Sequence, residues 1–189
     1  MRCDHGPRGT PVRARCVQVR ESPAPGSGRT RHNPVVLAHA RALLTPTTDD
    51  GVTDYLDADV NDPDLILTGA SSVLDFGEPI AVLLLGILGY AAATAEQMHA
   101  ITRELMSAVP SGSYLVISDG VDIGHEGQRQ AAVLHRYHLR TLAEFDACFA
   151  DLRLLDPGLV PVNSWRPRLA ETAQAGPLVN SRVGVGRKE

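Results

Sequence analysis

The chain has 189 residues, of which 43% are hydrophobic and only 4% aromatic, and its formal net charge is −4. This length is enough for one domain with a core of its own. Residues 1–32 hold seven Arg and two acidic residues, a net of +5, which leaves −9 for residues 33–189. An acidic body argues against nucleic acid as a partner.

Residues 1–32 are rich in Pro, Gly, Ser and Arg, and Val17-Gln18-Val19 is their only apolar run. This composition predicts a disordered basic leader, with order beginning at Asn33. A basic arm that binds nucleic acid or a membrane surface is the alternative interpretation. The composition favours instead a disordered tail or a segment that is not native to the fold.

The cysteines Cys3, Cys16 and Cys148 have no CxxC or metal-ligand spacing. An odd number of cysteines without an apolar signal segment is typical of a reduced, cytoplasmic protein. We therefore expect neither secretion nor membrane insertion.

The longest apolar run of the chain is Pro79–Tyr90, PIAVLLLGILGY. Bounded by Gly and Pro, it fits a buried strand or a buried helix. Ile80, Val82 and the glycines at 86 and 89 favour the strand. A strand that is apolar on both faces must be covered on both, which indicates a central parallel strand with helices on each side. Ligands bind beyond the carboxyl ends of such strands, here at Gly86–Tyr90.

Strand and helix patterns alternate around this run, which predicts a doubly wound α/β domain. The predicted helices begin at N-caps or capping boxes. They are Asn33–Leu44, Asp64–Thr68, a helix capped by Thr94 that stops near Pro110, Gln128–His138, and a helix capped by Thr141 that ends near Phe149. The other predicted strands are Val52–Ala58, with Asp59 at its carboxyl end, Ser113–Ser118, with Asp119 at its end, and Val179–Gly186.

Four segments in their order along the chain resemble the S-adenosyl methyltransferase family, a branch of the class I methyltransferases long known as a domain of unknown function. They are NPVVLAHARALL, ADVNDPD, PSGSYLVIS and LLDPGLVPVNSWRP, and the resemblance covers residues 33–189. Each segment is weakly specific alone, and together they identify the family.

The resemblance implies a Rossmann-like sheet of seven strands with the last one antiparallel, and S-adenosylmethionine across the strand ends. Asp59 is expected to accept a hydrogen bond from the adenine amino group. The proposed cofactor-binding residues are Asp59, Val60, Leu85, Gly86 and Ile87. Tyr90 and Asp119 are expected to face the substrate, a small molecule of unknown identity. No catalytic residue can be named, because methyl transfer needs little beyond alignment of the reacting atoms.

The leader departs from the family pattern, which places a first strand with a Gly-rich loop and a second strand ending in an acid before the helix at Asn33. Arg31 stands near the expected ribose acid and cannot accept a hydrogen bond. We therefore expect a class I sheet that is incomplete at its N-terminal half, in a chain that is truncated or carries an unrelated leader. The central strand would then have an open edge, suited to aggregation or a homodimer.

Several alternatives stay open. Without the resemblance, Asp59 is as well explained as a helix-capping acid before Asp62-Pro63. His135 and His138 have helical spacing but no HExxH-type motif surrounds them, so we expect no metal. The chain could also be a non-catalytic remnant of the fold or a partner-binding fragment. A different nucleotide-using enzyme is disfavoured, because GxGxxG and GxxxxGK[ST] loops are missing.

Overall fold

The structure is a computed structural model that describes residues 15–20, 52–166 and 180–189. The predicted helix at Asn33–Leu44 and most of the leader lie outside the described residues. The boundary between residues 32 and 33 therefore stays a prediction.

The described strands form two separate sheets. The strands are β1 (Arg15–Arg20), β2 (Val52–Asp57), β3 (Ala81–Leu85), β4 (Tyr114–Gly120), β5 (Arg153–Leu154), β6 (Val160–Pro161) and β7 (Ser181–Arg187). One sheet contains β1 and β2, and the other has the order β3-β4-β7-β5, with β6 also paired to β7. Strands β3 and β4 are parallel, whereas β7 is antiparallel to β4. The antiparallel last strand that the resemblance implied is thus confirmed.

Five α-helices are described between these strands. They are α1 (Pro63–Ala70), α2 (Leu88–Ala91), α3 (Ala95–Ser107), α4 (Glu126–Leu134) and α5 (Leu142–Ala147), with a short 3-10 helix at Val162–Ser164. The predicted caps are confirmed at three helices, where the side chains of Asp62, Thr94 and Thr141 accept from the backbone. None of the described helices has the length and apolar character needed to cross a bilayer.

Part of the leader forms a strand. Arg15–Arg20 pairs in parallel with Val52–Asp57, from Arg15 opposite Val52 to Arg20 opposite Asp57. The expectation that all of residues 1–32 is unstructured is therefore wrong at these six positions. The sequence of this segment suits a strand, because the β-branched residues Val17 and Val19 alternate with the polar residues Gln18 and Arg20.

The apolar run Pro79–Tyr90 does not form one strand. Only Ala81–Leu85 is extended, and the chain turns at Gly86, with φ +70°, before α2. A positive φ of this kind is accessible to glycine without a steric penalty. The first half of the run is therefore a strand and the second half is a helical turn, although its composition had suggested one or the other.

The core lies on one face of the larger sheet. Leu84 of β3 pairs with Ile117 of β4, and both are buried. The side chains that pack against this face are also buried: Met98, Ile101 and Leu105 of α3, Phe145 of α5, and Phe149. The opposite face of β3 is less covered, since Leu83 is 54% and Leu85 is 59% exposed.

Strand β3 is also an edge strand within the described part of the chain, where β4 is its only strand neighbour. The predicted open edge is therefore present among the described strands. Strand β1 does not fill this edge, because it lies with β2 in the separate two-stranded sheet.

Candidate functional site

The sequence-predicted site residues lie at the carboxyl ends of β2, β3 and β4. Asp59 follows β2 by two residues and is half-buried, and Val60 beside it is 2% exposed. Asp62 donates its backbone N–H to the Asp59 carbonyl at 2.9 Å, which closes the turn between β2 and α1. The turn fixes the direction of the Asp59 side chain at the end of the strand.

The Asp59 carboxylate is held on one side. Its Oδ1 atom accepts from the backbone N of Asn61 at 2.9 Å and from Asn61 Nδ2 at 3.0 Å. Among the described residues no donor contacts Oδ2. One oxygen is therefore free to accept a hydrogen bond from a ligand amino group.

The turn after β3 is open to solvent. Gly86 and Leu85 are exposed, Ile87 is half-buried, and a Cβ placed on Gly86 would have no atom within 4 Å. The backbone N of Gly86 donates to the carbonyl of Ser118 at 2.6 Å, which extends the β3–β4 pairing to the turn. The turn is thus anchored to β4 while its outer side can approach a ligand closely.

Asp119, at the end of β4, is 3% exposed. Its Oδ2 atom accepts from the N of Gly89 at 3.1 Å, and its Oδ1 atom accepts from the N of Gly120 at 2.9 Å. Burial raises the pKa of the Asp119 carboxyl above its usual range, and backbone N–H groups and the charge of Arg140 oppose that rise. The carboxylate therefore holds α2 to β4, and its contact with a substrate stays a prediction.

Tyr90 is the predicted substrate residue that does face solvent, with 53% of its surface exposed. Its ring lies edge-on to the ring of Tyr137, with the ring centroids 4.8 Å apart. The hydroxyl of Tyr137 accepts from the N of Gly120 at 2.6 Å. Tyr90 therefore packs against Tyr137, whose hydroxyl is anchored to β4.

The segment Tyr137–Arg140 also holds α2. The N of His138 donates to the carbonyl of Gly89 at 2.6 Å, and Nη2 of Arg140 donates to the carbonyl of Ala92. Arg140 is 7% exposed, and its Nε atom has no hydrogen-bond partner among the described residues. Helix α2 is therefore fixed along its length, although it has only four residues.

Asp59 and α2 are brought together by two amide side chains that the sequence did not indicate as site residues. Asn61 Nδ2 donates to the carbonyl of Ala91 at 3.2 Å, and Gln97 Nε2 donates to Asn61 Oδ1 at 2.6 Å. The sequence signal was present, since Asn61 precedes the cap Asp62 and Gln97 occupies the third position after the cap Thr94. Both patterns were explained by capping, so neither indicated a contact between distant segments.

The histidines do not form a metal site in the described structure. No group of three or more His, Cys, Asp or Glu side chains there has the arrangement needed to hold an ion. Asp122, which precedes these histidines in the chain, accepts from Nε of Arg129 at 2.8 Å.

The sequence model of the S-adenosyl methyltransferase family matches residues 3–189. The match begins thirty residues before Asn33, so it extends beyond the range of the sequence resemblance. No curated protein matches the chain.

Solved structures support the same relationship. A DUF574 family protein from Streptomyces avermitilis is similar with a TM-score of 0.77 and 29% identity, over 94% of this chain and 66% of that protein. The chain thus spans slightly less than two thirds of that relative's length. A protein from Thermobifida fusca, provisionally assigned as a methyltransferase, has a TM-score of 0.72 and 26% identity over 95% of this chain and 74% of its own. A SAM-dependent methyltransferase from Methanosarcina mazei, with a TM-score of 0.55 and 11% identity over 94% of this chain and 93% of its own, shares the fold.

Proposed function

Because the chain belongs to the S-adenosyl methyltransferase family, we propose that it binds S-adenosylmethionine and transfers the methyl group to a small molecule. The class I Rossmann-like fold of its neighbours and the position of Asp59 support this proposal. The observation that carries it is the Oδ2 atom of Asp59, which no donor in the described part of the chain contacts, since a carboxylate oxygen fits the adenine amino group.

The residues present fit the cofactor. Asp59 would accept from the adenine, and the backbone of Leu85, Gly86 and Ile87 would line the cofactor where the turn is open. Val60, which is 2% exposed, would support the Asp59 turn from the core side. The cofactor, when bound, supplies a methyl group on a positively charged sulfur. Tyr90 would contact the methyl acceptor. The protein's role is to align the acceptor nucleophile with that carbon, and the acceptor's proton leaves to solvent or to a base.

We propose that this chain binds the cofactor weakly, with a Kd above about 100 μM. The resemblance implies a Gly-rich loop and a ribose acid before Asn33, and Arg31 stands near the place where that acid is expected. Each missing hydrogen bond is worth about 1 kcal/mol. The same weakness makes a non-catalytic, partner-binding role the alternative function.

Calorimetric titration of the full chain with S-adenosylmethionine tests the proposal. Asp59→Asn should weaken binding several-fold, because it places an amide where the carboxylate accepts. Asp64→Asn, on the exposed first turn of α1, is the matched control and should leave Kd unchanged. Absence of any binding at millimolar cofactor would contradict the proposed activity, and low-micromolar binding would contradict the proposed weakness. An unchanged Kd for Asp59→Asn would remove Asp59 from the site.

We also propose that two chains form a homodimer through β3. The support is the coincidence of an edge that is unpaired among the described strands with the exposed side chains of Leu83 and Leu85. Light scattering on Leu83→Lys should then give a monomer. Leu65→Lys, at an equally apolar exposed position on α1, should remain dimeric. A monomeric wild type would contradict the dimer.

The odd number of cysteines, without CxxC spacing, supports a cytoplasmic location, which we propose together with this function.

A further inference from the structure

Two amide side chains connect the proposed adenine-side acid to the helix that follows the cofactor turn. We propose that Asn61 and Gln97 are positioning residues that fix the Asp59 carboxylate relative to α2. The inference rests on the proposed function, because Asp59 is the proposed cofactor contact. It assigns to Asn61 and Gln97 a role that neither capping nor the fold requires.

The contacts form a continuous chain across three segments. Asn61 Nδ2 donates to Asp59 Oδ1 at 3.0 Å and to the carbonyl of Ala91 at 3.2 Å. Gln97 Nε2 donates to Asn61 Oδ1 at 2.6 Å, while Gln97 Oε1 accepts from the N of Ala93 at 2.9 Å. The side chains of Asn61 and Gln97 thus link the end of β2, the end of α2 and the first turn of α3.

The orientation of each amide is determined by its partners. Both protons of Asn61 Nδ2 are donated, one to a carboxylate and one to a carbonyl, so its Oδ1 must face a donor. That donor is Gln97, whose own oxygen faces a backbone N–H. Rotating either amide by half a turn would bring like groups together. The network therefore permits one arrangement, in which Asp59 Oδ1 is occupied and Oδ2, which has no donor among the described residues, is available to a ligand.

The two side chains are accessible enough to be replaced without disturbing the core. Asn61 is exposed and Gln97 is half-buried, and neither belongs to the buried core cluster. A role limited to capping α3 would use only the bond between Gln97 and Ala93. A positioning role also requires the bond between Gln97 and Asn61, and this difference can be measured.

Two substitutions of Gln97 separate the roles. Gln97→Met removes both hydrogen bonds at similar volume. Gln97→Glu keeps an oxygen for Ala93 N–H but places a second acceptor against Asn61 Oδ1. Gln130→Met, at an exposed position of α4, is the matched control.

Amide hydrogen exchange of the ligand-free chain, followed by NMR, gives the first readout. The N–H of Asn61 donates to Asp59 Oδ1, so its exchange rate reports whether that carboxylate is held. We expect both Gln97 variants to speed exchange of the Asn61 N–H by about 5-fold, the factor expected for one hydrogen bond. Exchange of the Ala93 N–H should speed up in Gln97→Met only. If only Ala93 responds, Gln97 is a helix cap and the inference is overturned.

Calorimetry with S-adenosylmethionine gives the second readout. Both Gln97 variants should raise Kd by about 5-fold with the melting temperature retained, whereas Gln130→Met should match the wild type. If the Asn61 N–H exchanges faster but Kd is unchanged, Asp59 does not need to be held and the inference fails. If the wild type does not bind the cofactor, the proposed function fails, and the exchange experiment still decides whether Gln97 holds Asp59.

Discussion

Gly89 is the residue of α2 at which an added methyl group has the most clearly defined consequence. A Cβ at this position would lie 2.6 Å from Cε1 of Tyr137 and closer still to two other atoms of the same ring. The ring cannot move away freely, because the Tyr137 hydroxyl accepts from Gly120 N at 2.6 Å and its neighbour His138 donates to the Gly89 carbonyl at 2.6 Å. Gly89→Ala must therefore displace the ring and break at least one of these bonds.

The expected loss of stability is about 2–4 kcal/mol. Forcing an extra methyl into a packed site costs about 1–3 kcal/mol, and the lost hydrogen bond adds about 1 kcal/mol. This is a large part of the stability of a domain, which is about 5–15 kcal/mol. The better helix propensity of Ala offsets less than about 1 kcal/mol of it.

Urea unfolding, followed by the fluorescence of Trp165, measures the effect. Gly127→Ala is the control, since a Cβ at that position of α4 contacts no atom within 4 Å, and it should be neutral or slightly stabilising. In a Tyr137→Ala background, Gly89→Ala should cost nothing further, because the obstructing ring is absent. A full cost in that background, or a change below about 0.5 kcal/mol in the wild type, would show that the ring does not restrict Gly89.

Three further predictions concern other buried or capping groups. Lys188→Met should lower the free energy of unfolding in urea by about 1–2 kcal/mol. The reason is that Lys188 Nζ donates to the carbonyls of Met106 and Val109 at the end of α3, at 2.8 Å each. An unchanged midpoint of urea unfolding would contradict this prediction. Burial raises the pKa of Cys148 from 9.0 to about 11, so alkylation of this thiol, followed by peptide mass spectrometry, should be about 100-fold slower in the folded chain than in urea. Because the folded pKa of Asp119 lies above its reference value of 3.8, its contribution to stability is complete below that pH and is lost as pH rises through the folded pKa. The stability advantage of the wild type over Asp119→Asn should shrink as the pH is raised from 3.8, and an advantage that grows would contradict the raised pKa.

The parts of the fold that could be predicted depend on local patterns. The caps Asp62, Thr94 and Thr141 each accept from a backbone N–H three residues along the chain, which is why spacing alone located the helix starts. The bounds of strand Val52–Asp57 were predicted within one residue, because its alternating pattern is also local. The strand at Arg15–Arg20 was missed because its short apolar pattern was outweighed by the Arg, Pro and Gly around it.

The site was only partly predictable, because its contacts join segments far apart in sequence. Asp59 was indicated by its place after a strand, but its link to α2 depends on Asn61 meeting Ala91, thirty residues away. Tyr137 meets Gly120 across seventeen residues, and no periodicity in either segment indicates the other. Asp119 was indicated as a strand-end residue, and only the structure shows that backbone donors occupy both its oxygens.

Strand β3 is where pattern and structure differ most. Its residues are apolar on both faces, the pattern of a strand covered on both sides. In the described structure Leu84 is 6% exposed, whereas Leu83 and Leu85 beside it are more than half exposed. The same strand also has an unpaired edge among the described strands. A second chain placed against β3 would pair that edge and cover those leucines in one contact, so the proposed dimer accounts for both differences together. It would also place the interface beside the Gly86 turn, and the monomeric Leu83→Lys variant should then bind S-adenosylmethionine less well than the dimeric wild type.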